Sequence, residues 1–420
     1  MAISSWTIFN SILEGIKKFP LFKWLYKISW APFVYHFVLA LFGAVIYRFP
    51  SRKVKVIGVT GTKGKTTTLE LINAGLEASG EKTALLSSLR IKIDEETKPN
   101  LSGNTQPGRF YVQYFIREAI KKECRYVLLE VGSEGVVRHR HRFIDFDIAA
   151  FVNIHPEHIE SHGSFEKYRE AKLSFFRYVG ESWSKKDKKF FVNQEDRSAD
   201  HFIKAAGNND VILTTKTNKS LKMLGDFNLD NAGVAEAVLR NLGVDDEVIK
   251  KAFENFSGVS GRMEYVQKEP FAVVVDYAHT PDSLEAVYKN LKSEKGNLIC
   301  VLGSAGGGRD KWKRPKMGSI AANYCTEIIL TDEDPFDEDP MEIVEEIRVG
   351  MPGKRAKDAE IILDREQAIR RGISLAKKGD VVVITGKGSE LSIRVKNGKK
   401  IPWSDVGVVR QILGYTNQAL

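Results

Sequence analysis

The chain is poor in cysteine and has neither a low-complexity tract nor an internal repeat. Three cysteines occur among 420 residues, at Cys124, Cys300 and Cys325, and no two of them form a CxxC pair. Their wide separation argues against a cysteine-ligated metal site and predicts reduced, buried, small apolar residues in a cytosolic compartment. With 43% hydrophobic and 28% charged residues, the chain is typical of a globular protein, and its length predicts two or three domains.

Acidic residues are also in deficit. The formal net charge is +9 at pH 7, from 63 Lys and Arg against 54 Asp and Glu. This balance favours anionic ligands such as nucleotides, nucleic acid or anionic lipid. Because the basic residues are scattered rather than gathered in one stripe, a nucleic-acid partner is not predicted.

A glycine-rich turn early in the chain has the context of a phosphate-binding loop. The segment GVTGTKGKTT follows the apolar run Val54 to Val59 and precedes a helix-like stretch, Leu69 to Ala78. Glycines let successive N–H groups face an anion, and the new helix adds its positive end. Lys65 is expected to reach the β/γ-phosphates of ATP, and the Thr66 hydroxyl is expected to bind Mg²⁺. The loop residues predicted to contact ATP are Gly61, Thr62, Lys63, Gly64, Lys65, Thr66 and Thr67.

Helical and strand-like patterns alternate on both sides of a flexible Gly/Ser stretch, Ser257 to Gly261. The predicted strands before it are Val54–Val59, Tyr126–Val131, Ile148–Ile154 and Phe190–Asn193. Those after it are Ala272–Asp276, Leu298–Leu302, Ile328–Thr331, Ile361–Leu363 and Val381–Thr385. The pattern predicts an α/β fold: an apolar helical segment at 1–50, a P-loop ATP-binding domain with a parallel-rich sheet at 51–258, and a doubly wound, Rossmann-like domain at 259–420.

Polar turns follow several of these strands, and the carboxyl ends of parallel strands meet at one edge of a sheet. Glu130 closes an apolar strand and is placed to hold Mg²⁺. The segment from Asn153 to Gly163 holds three histidines and is either a polar loop or a second metal site; without a Cys cluster or HExxH it does not indicate zinc. In the second series, four turns predict a binding face: Tyr277–Pro281, Gly303–Lys313, Asp332–Pro340 and Gly386–Glu390.

An apolar segment near the N-terminus is shorter than a membrane span. Phe33 to Tyr47 is nearly all apolar but falls short of the roughly 20 residues that cross a bilayer. Basic residues flank it on both sides and no small-residue cleavage site follows, so neither an orientation nor a signal peptide is indicated. Residues 1–50 are expected to form a helical hairpin on the next domain, a helix in the membrane surface, or a span. The nucleotide site must be cytoplasmic in every case, at the inner face of the membrane in the latter two.

Several segments occur in the order in which they are found in Mur ligases, which this chain resembles over residues 53 to 410. They are GVTGTKGKTT, EVGSEG, NIHPEHIESHGSFEKYREAK, NLDN, GRMEYV, DYAHTPDSLE, GSAGGGRDKWKRPKMGSIA and ITGKGSE. The resemblance is to the branch that adds the third peptide residue to UDP-MurNAc-dipeptide. It implies an ATP- and Mg²⁺-dependent ligase with a C-terminal amino-acid-binding domain. ATP would phosphorylate a substrate carboxylate, and the amine of an amino acid would then displace phosphate.

The resemblance also implies roles for individual residues. Lys65 and Thr66 match the phosphate-loop lysine and hydroxyl, and Glu130 matches the Mg²⁺-binding glutamate. His158 matches the family's metal-ligand histidine. Lys172 matches a lysine that is carbamylated in many members, a change that makes an acidic oxygen ligand of a cation. These residues form the implied catalytic and metal-binding set.

Further matches concern the nucleotide and the acceptor. Asn228 and Asn231 match asparagines near the adenine, and Arg262 matches an arginine that contacts phosphate. Asp276 and Tyr277 fall where the second domain closes over the ribose and base. The residues Asn104 and Thr105 resemble the family's loop on the sugar-peptide substrate, although Gln106 replaces a threonine there.

The incoming amino acid is expected on the second domain. Relatives that add meso-diaminopimelate have an Asp-Asn-Pro-Arg turn; here Asp334 stands in place of the Asn and Phe336 in place of the Arg. Loss of the Arg argues against a second carboxylate on the added residue, and the extra acid favours a distal amine, as in lysine or ornithine. Ser389 replaces a histidine of the Gly-Lys-Gly-His-Glu motif. Other positions of the implied pocket are Arg309, Gly386 and Glu390.

The front of the chain departs from the family pattern. A typical small domain that grips the UDP group precedes the phosphate loop in the family, whereas residues 1–50 here are helical and apolar in pattern. Either the UDP is held differently, or the acceptor carries another handle such as lipid. Two alternatives therefore remain: a ligase of the folylpolyglutamate or cyanophycin type, and a nucleotide-binding, membrane-associated protein without catalysis.

Overall fold

The computed structural model describes residues 31–157, 159–182, 184–223, 225–292, 296–308 and 310–415. These residues divide into two compact units. The first comprises 31–155, 166–221 and 227–256, and the second comprises 156–165, 222–226 and 257–415. Residues 1–30 of the predicted N-terminal segment lie outside the description, as do His158 and Arg309. The domain boundaries at 50/51 and 258/259 stay predictions, since compactness does not show that a segment folds independently.

Strands occupy the apolar runs of both units. In chain order they are β1 Lys55–Thr60, β2 Thr83–Leu86, β3 Arg90–Ile93, β4 Glu96–Pro99, β5 Tyr126–Val131, β6 Ile148–Phe151, β7 Lys189–Asn193, β8 Asp210–Thr214, β9 Glu264–Gln267, β10 Ala272–Val275, β11 Leu298–Leu302, β12 Glu327–Leu330, β13 Glu360–Ile361, β14 Val381–Ile384, β15 Ser392–Arg394 and β16 Lys400–Pro402.

Helices alternate with these strands. In chain order they are α1 Ala31–Ile46, α2 Lys65–Ala78, α3 Arg109–Lys121, α4 Ser133–Val137, α5 Ile159–His162, α6 Phe165–Glu181, α7 Ala199–Ala205, α8 Asp226–Asn241, α9 Asp246–Asn255, α10 Pro281–Leu291, α11 Lys313–Tyr324, α12 Pro340–Val349, α13 Gly353–Asp358, α14 Arg365–Leu375 and α15 Asp405–Ile412. Short 3₁₀ turns cover Pro50–Lys53 and Lys396–Gly398.

The described part of the first unit contains an eight-stranded sheet in the order β4-β3-β2-β5-β1-β6-β7-β8. Within this order, the six strands β2, β5, β1, β6, β7 and β8 are parallel to one another. At the other edge, β3 pairs antiparallel with both β2 and β4. β1 and β5 are buried almost throughout, as expected of strands covered on both faces. Because β1 lies between β5 and β6, the segments after these three strands meet at one edge.

The described part of the second unit contains a six-stranded sheet in the order β13-β12-β11-β14-β10-β9, parallel except for β9. Alternate residues of its strands face two separate apolar cores, one under α10, α11 and α12 and the other under α14 and α15. A two-stranded ribbon, β15-β16, follows the last parallel strand. The predicted α/β class with parallel-rich sheets is confirmed.

Element boundaries differ from the prediction where local patterns mislead. α2 begins at Lys65 rather than Leu69, because the threonines after Gly64 continue the helix. β6 ends at Phe151, three residues before the predicted end. The prediction omitted β2, β3, β4, β8, β9, β15 and β16. Every residue of β4 is exposed, so its sequence carries no apolar alternation.

The prediction of three reduced cysteines is wrong for two of them. Cys300 and Cys325 form a disulfide, with their Cα atoms 6.0 Å apart. Cys300 lies in β11 and Cys325 lies two residues before the neighbouring strand β12, so the fold joins residues that are 25 positions apart in the chain. Cys124 is a buried, free cysteine, as predicted.

Helix α1 packs against α3 of the first unit. Ala40 and Ala44 are buried, and a Cβ on Gly43 would lie 3.1 Å from Phe110 Cα, so the glycine permits close approach. The ring of Phe42 lies 6.3 Å from that of Phe110. Among the helices that the structure describes, none is long and apolar enough to cross a membrane. Whether residues 1–30 complete a hairpin lies outside the described residues.

Candidate active site

The predicted phosphate loop connects β1 to α2 at the carboxyl edge of the first sheet. Gly64 caps α2 with φ of 77°, a left-handed conformation that favours glycine. A Cβ on Gly64 would lie 1.9 Å from Asn231 Oδ1, so the loop packs directly on a side chain from α8. Asn231 also donates from Nδ2 to Asn228 Oδ1 at 3.2 Å. The structure thus brings Asn228 and Asn231, both predicted near the nucleotide, to the phosphate loop.

Replacing Gly64 with alanine is expected to lower the affinity for Mg·ATP at least tenfold, because the methyl group would displace Asn231 and distort the phosphate loop, in addition to the roughly 1–3 kcal/mol of stability that a strained left-handed residue costs. Titration calorimetry with a non-hydrolysable ATP analogue measures this. Gly80→Ala is the matched control: Gly80 also has a positive φ, of 85°, but nothing lies within 4 Å of its Cβ position. The control should lose some stability and keep its nucleotide affinity. Equal affinity losses in both variants would contradict the explanation.

Asn153, after β6, braces the other side of the loop. Its carbonyl oxygen accepts from Thr62 N–H at 2.9 Å, and its side-chain Oδ1 accepts from Lys63 N–H at 3.0 Å. The Thr62 hydroxyl bonds with the Tyr168 hydroxyl at 2.8 Å. Sequence reasoning did not assign Asn153 or Tyr168 to the site. Their position after a strand and in the family-like block was the available signal.

A cation site is indicated where three strand ends meet. Thr66 Oγ1 donates to Glu130 Oε2 at 3.0 Å, and the Ser88 N–H donates to the same oxygen at 2.8 Å. Lys65 Nζ lies 4.0 Å from Glu130 Oε1 and donates to Thr62 O at 2.9 Å. Hydroxyl and carboxylate oxygens are the ligands that Mg²⁺ prefers, so this donor set fits Mg²⁺.

The other two predicted metal ligands are His158 and Lys172. Within the described ranges no group of three or more His, Cys, Asp or Glu residues is arranged to hold a metal ion. His158 is outside the described residues. Lys172 is buried, with 1% of its surface exposed. Its Nζ donates to Gly61 O at 2.6 Å and lies 4.7 Å from the centre of the Tyr168 ring. Lys172 therefore contacts the phosphate loop, and its role as a metal ligand stays a prediction.

The predicted acceptor loop lies beside the segment that follows β5. A Cβ on Gly132 would lie 3.2 Å from Thr105 Oγ1. Behind the loop, Arg140 donates to Gln106 O at 2.7 Å and to Asn104 Oδ1 at 3.3 Å. Burial, with Arg109 and Arg138 nearby, lowers the pKa of Arg140 to about 10. A guanidinium thus holds the loop in place, a contact that sequence reasoning missed.

In the second unit, Arg262, Asp276 and Tyr277 form one group. The Arg262 guanidinium lies 4.0 Å from the centre of the Tyr277 ring. Asp276 accepts from the Met263 N–H at 2.8 Å and from the Ala278 N–H at 2.7 Å. Burial raises the pKa of Asp276, against the opposing effect of Arg262. The contact is a cation on an aromatic face, of the kind that can also hold a base or a phosphate.

A charged pocket lies where β12 and β14 end. Lys387 is fully buried; its Nζ donates to Asp334 Oδ1 at 2.7 Å and also to Glu390. Burial disfavours the charged ammonium group, but the attraction of the two carboxylates outweighs this effect and raises the pKa of Lys387. The Tyr277 hydroxyl donates to Glu390 at 3.4 Å. The structure brings together Asp334, Gly386 and Glu390, which the sequence analysis assigned to one pocket.

Two features of this pocket were not foreseen. Arg394, on β15, places its Nε 3.9 Å from Asp334 Oδ2 and its guanidinium 5.7 Å from the centre of the Phe336 ring. Glu333 is buried beside Gly386, and burial raises the pKa of its carboxyl group. Lys387 and its partner Glu390 lie within the quoted motif ITGKGSE, but the other partner, Asp334, comes from another strand end. Arg394 had no local signal.

The comparisons with known proteins bear on both units. A family model described as the Mur ligase middle domain matches residues 59–236, and one described as the Mur ligase, glutamate ligase domain matches residues 261–388. A protein of Syntrophomonas wolfei named UDP-N-acetylmuramoyl-L-alanyl-D-glutamate–2,6-diaminopimelate ligase is 34% identical over 89% of this chain and 81% of its own length. A UDP-N-acetylmuramyl-tripeptide synthetase of Roseiflexus is 35% identical over the same shares.

Solved structures agree in fold. One titled as a UDP-N-acetylmuramoyl-L-alanyl-D-glutamate–2,6-diaminopimelate ligase matches 86% of this chain and 78% of its own, with TM-score 0.58 and 29% identity. Folylpolyglutamate synthase of Mycobacterium tuberculosis matches 91% of this chain and 96% of its own, with TM-score 0.69 and 15% identity. At that identity the second likeness shows the fold alone.

The phosphate loop and these matches define the class as an ATP-dependent ligase that joins an acid to an amino acid. The family follows from the identity of about one third along most of the chain. The chain belongs to the Mur ligase family and acts in amide ligation during the synthesis of peptidoglycan precursors.

Proposed function

We propose that this ligase extends the peptide of a nucleotide-sugar precursor by one amino acid, through an acyl phosphate. An oxygen of the acceptor carboxylate bonds to the γ-phosphorus of ATP, and ADP leaves. The neutral amine of the amino acid then bonds to the acyl carbon and loses a proton as inorganic phosphate leaves. The contact of Thr66 and Lys65 with Glu130 carries the proposal, because phosphoryl transfer depends on positioning and charge neutralisation.

The site residues around the phosphate loop have separate roles in this reaction. Lys65 would leave its contact with Thr62 O and neutralise charge on the phosphates. Mg²⁺, when bound by Thr66 and Glu130, would supply further positive charge at the transferring phosphoryl group. Asn153 holds the loop N–H groups in place through its two accepted hydrogen bonds. His158 remains a proposed ligand on the basis of the motif alone.

Carbamylation of Lys172 is part of the proposal. Lys172 is buried, and its Nζ donates to Gly61 O and lies against the Tyr168 ring, so the group is next to the phosphate loop. A carbamate would convert this group into an anionic oxygen ligand close to the phosphate loop. Arg262, Asp276 and Tyr277 are proposed contacts of the nucleotide, supported by the cation on the tyrosine face.

For the acceptor, we propose a UDP-MurNAc-dipeptide, because the most similar relatives reported above are named for that substrate class. Asn104 and Thr105 are proposed to contact it, as the loop that Arg140 holds beside Gly132. The same proposal places the reaction in the cytoplasm, where ATP is available. Fractionation of cells that express the chain would check the location.

The added amino acid has two candidates. Phe336 in place of an arginine, together with the acids Asp334 and Glu390, favours a distal amine, as in lysine or ornithine. The Arg394 guanidinium beside Asp334 favours instead a distal carboxylate, as in the diaminopimelate that several relatives are named for. Lys387 already pairs with both acids, so Arg394 is the group that distinguishes the candidates.

A panel of amino acids with UDP-MurNAc-dipeptide, ATP and Mg²⁺ tests both points, with phosphate release and product mass as readouts. We expect the highest kcat/KM with lysine or ornithine, and little change on Arg394→Ala. If meso-diaminopimelate is strongly preferred and Arg394→Ala raises its KM by about tenfold or more, the distal-carboxylate candidate is correct.

Two controls make the panel decisive. Arg370→Ala removes an arginine that pairs only at the exposed surface, with Glu366, and should leave all rates unchanged. Replacing the acceptor with a folate tests the folylpolyglutamate alternative. Turnover with folate and none with the dipeptide acceptor would overturn the proposed substrate while leaving the ligase chemistry intact.

A further inference from the structure

Helix α1 presents an apolar face to the surroundings. Val34, Val38, Leu41, Phe42 and Val45 are 37–54% exposed, and their spacing, mostly of three to four residues, puts them on one side of the helix. The opposite side, with Ala40 and Ala44, packs against the first unit. The helix contains no Asp, Glu, Lys or Arg. An exposed apolar stripe of this kind marks an interaction surface.

A basic cluster begins a few residues after α1 in the chain. Six basic residues of this cluster line one shallow depression: Arg52, Lys53, Lys55, Arg125, Lys185 and Lys186. Three are partly neutralised, since Arg52 pairs with Asp145, Lys185 with Asp147 and Arg125 with Glu81. Lys53, Lys55 and Lys186 are exposed and form no ion pair with another side chain in the described ranges. The cluster therefore has excess positive charge.

The cluster lies at a defined edge of the first unit. Lys55 begins β1, Arg125 directly precedes β5, and Lys185 pairs with Asp147 just before β6. These strands are parallel, so the cluster lies at their amino ends, whereas Lys65 and Glu130 lie at their carboxyl ends. The 3₁₀ turn Pro50–Lys53 connects the apolar helix to this edge. A partner bound at the cluster would leave the phosphate loop unobstructed.

We propose that the first unit docks on an anionic lipid surface, with the exposed stripe of α1 in the acyl boundary and the basic cluster against the headgroups. An apolar stripe combined with adjacent basic residues is the composition that binds anionic membranes peripherally. A second copy of the chain is disfavoured as the occupant, because two such clusters would repel each other.

Co-sedimentation of the full chain with vesicles tests the proposal. We expect binding to vesicles of phosphatidylcholine with phosphatidylglycerol, little binding to phosphatidylcholine alone, and weaker binding as salt rises. Val38→Glu with Val45→Glu should abolish binding. Lys53→Glu, Lys55→Glu and Lys186→Glu combined should weaken it at least tenfold.

The matched control reverses three exposed lysines elsewhere in the first unit: Lys204→Glu, Lys250→Glu and Lys251→Glu. It has the same net charge as the cluster variant and should bind vesicles like the parent. Unchanged ATP affinity in all variants shows that the unit is folded. Three outcomes overturn the proposal: no vesicle binding by the parent, equal losses in control and cluster variants, or a dimer of the parent that the Val38 and Val45 changes dissociate. Binding that survives both surface variants but is lost on deletion of residues 1–30 also overturns it.

Discussion

Lys65→Ala is expected to lower kcat for ligation by about 10²–10³-fold, the effect of removing one preorganised charge from a transferring group. The Lys65 side chain is 14% exposed and lies 4.0 Å from Glu130, so its charge acts at short range in a partly water-excluded site. Its backbone contacts with the loop do not depend on the ammonium group. We therefore expect phosphate release to be lost while the protein remains folded.

Steady-state phosphate release with saturating acceptor and amino acid measures the effect. Lys250→Ala, on the exposed side of α9, is the control for loss of a lysine and should turn over like the parent. Lys65→Arg keeps the charge but changes its position, and should fall between the two. A Lys65→Ala variant that consumes ATP and forms product at the parent's rate would contradict the phosphate-loop mechanism, and with it the proposed function.

Asp405→Ala is expected to lower the free energy of unfolding by about 3–5 kcal/mol, because it leaves a buried guanidinium without its partner. Arg365 donates from Nε to Asp405 Oδ1 at 2.8 Å and from Nη2 to Oδ2 at 2.7 Å. The two side chains are 1% and 0% exposed. Arg365 also donates to the carbonyl oxygens of Asp332 and Thr385, so the pair fixes two strand ends of the second unit.

Urea unfolding followed by circular dichroism measures this change. Glu360→Ala is the control: Glu360 forms a similar two-bonded pair with Arg371, but at an exposed site, where a pair contributes about 0–1 kcal/mol. The midpoint of the control should stay close to that of the parent. Equal shifts of the midpoint in the two variants would show that burial of the pair does not determine its contribution.

Sequence patterns predicted the strands well where apolar runs were long. β5 and β11 have the predicted limits, because a fully buried parallel strand is a continuous apolar run. β4 was missed because its residues are all exposed. The strand order was also beyond reach, since β1 pairs with β5 and β6 rather than with its chain neighbour β2.

The site shows the same division. The loop from Gly61 to Thr67 is contiguous, so its glycines, its lysine and its hydroxyl could be recognised together. Ser88, which donates to Glu130, and Asn153, which accepts from the loop, come from different strand ends. Ser88 has no local pattern that distinguishes it from an ordinary polar loop residue, and the signal for Asn153 was its position after a strand in the family-like block.

Local sequence was sufficient for the α/β class, the phosphate loop and the strand-end carboxylate, because each depends on neighbouring residues and on backbone freedom. Only the folded chain decided which distant groups pair. Cys300 meets Cys325, and Lys387 meets Asp334 across 53 positions, because the fold brings β11, β12 and β14 into one parallel sheet. The net charge of the pocket around Lys387 depends on side chains from several segments, so it could not be read from any one of them.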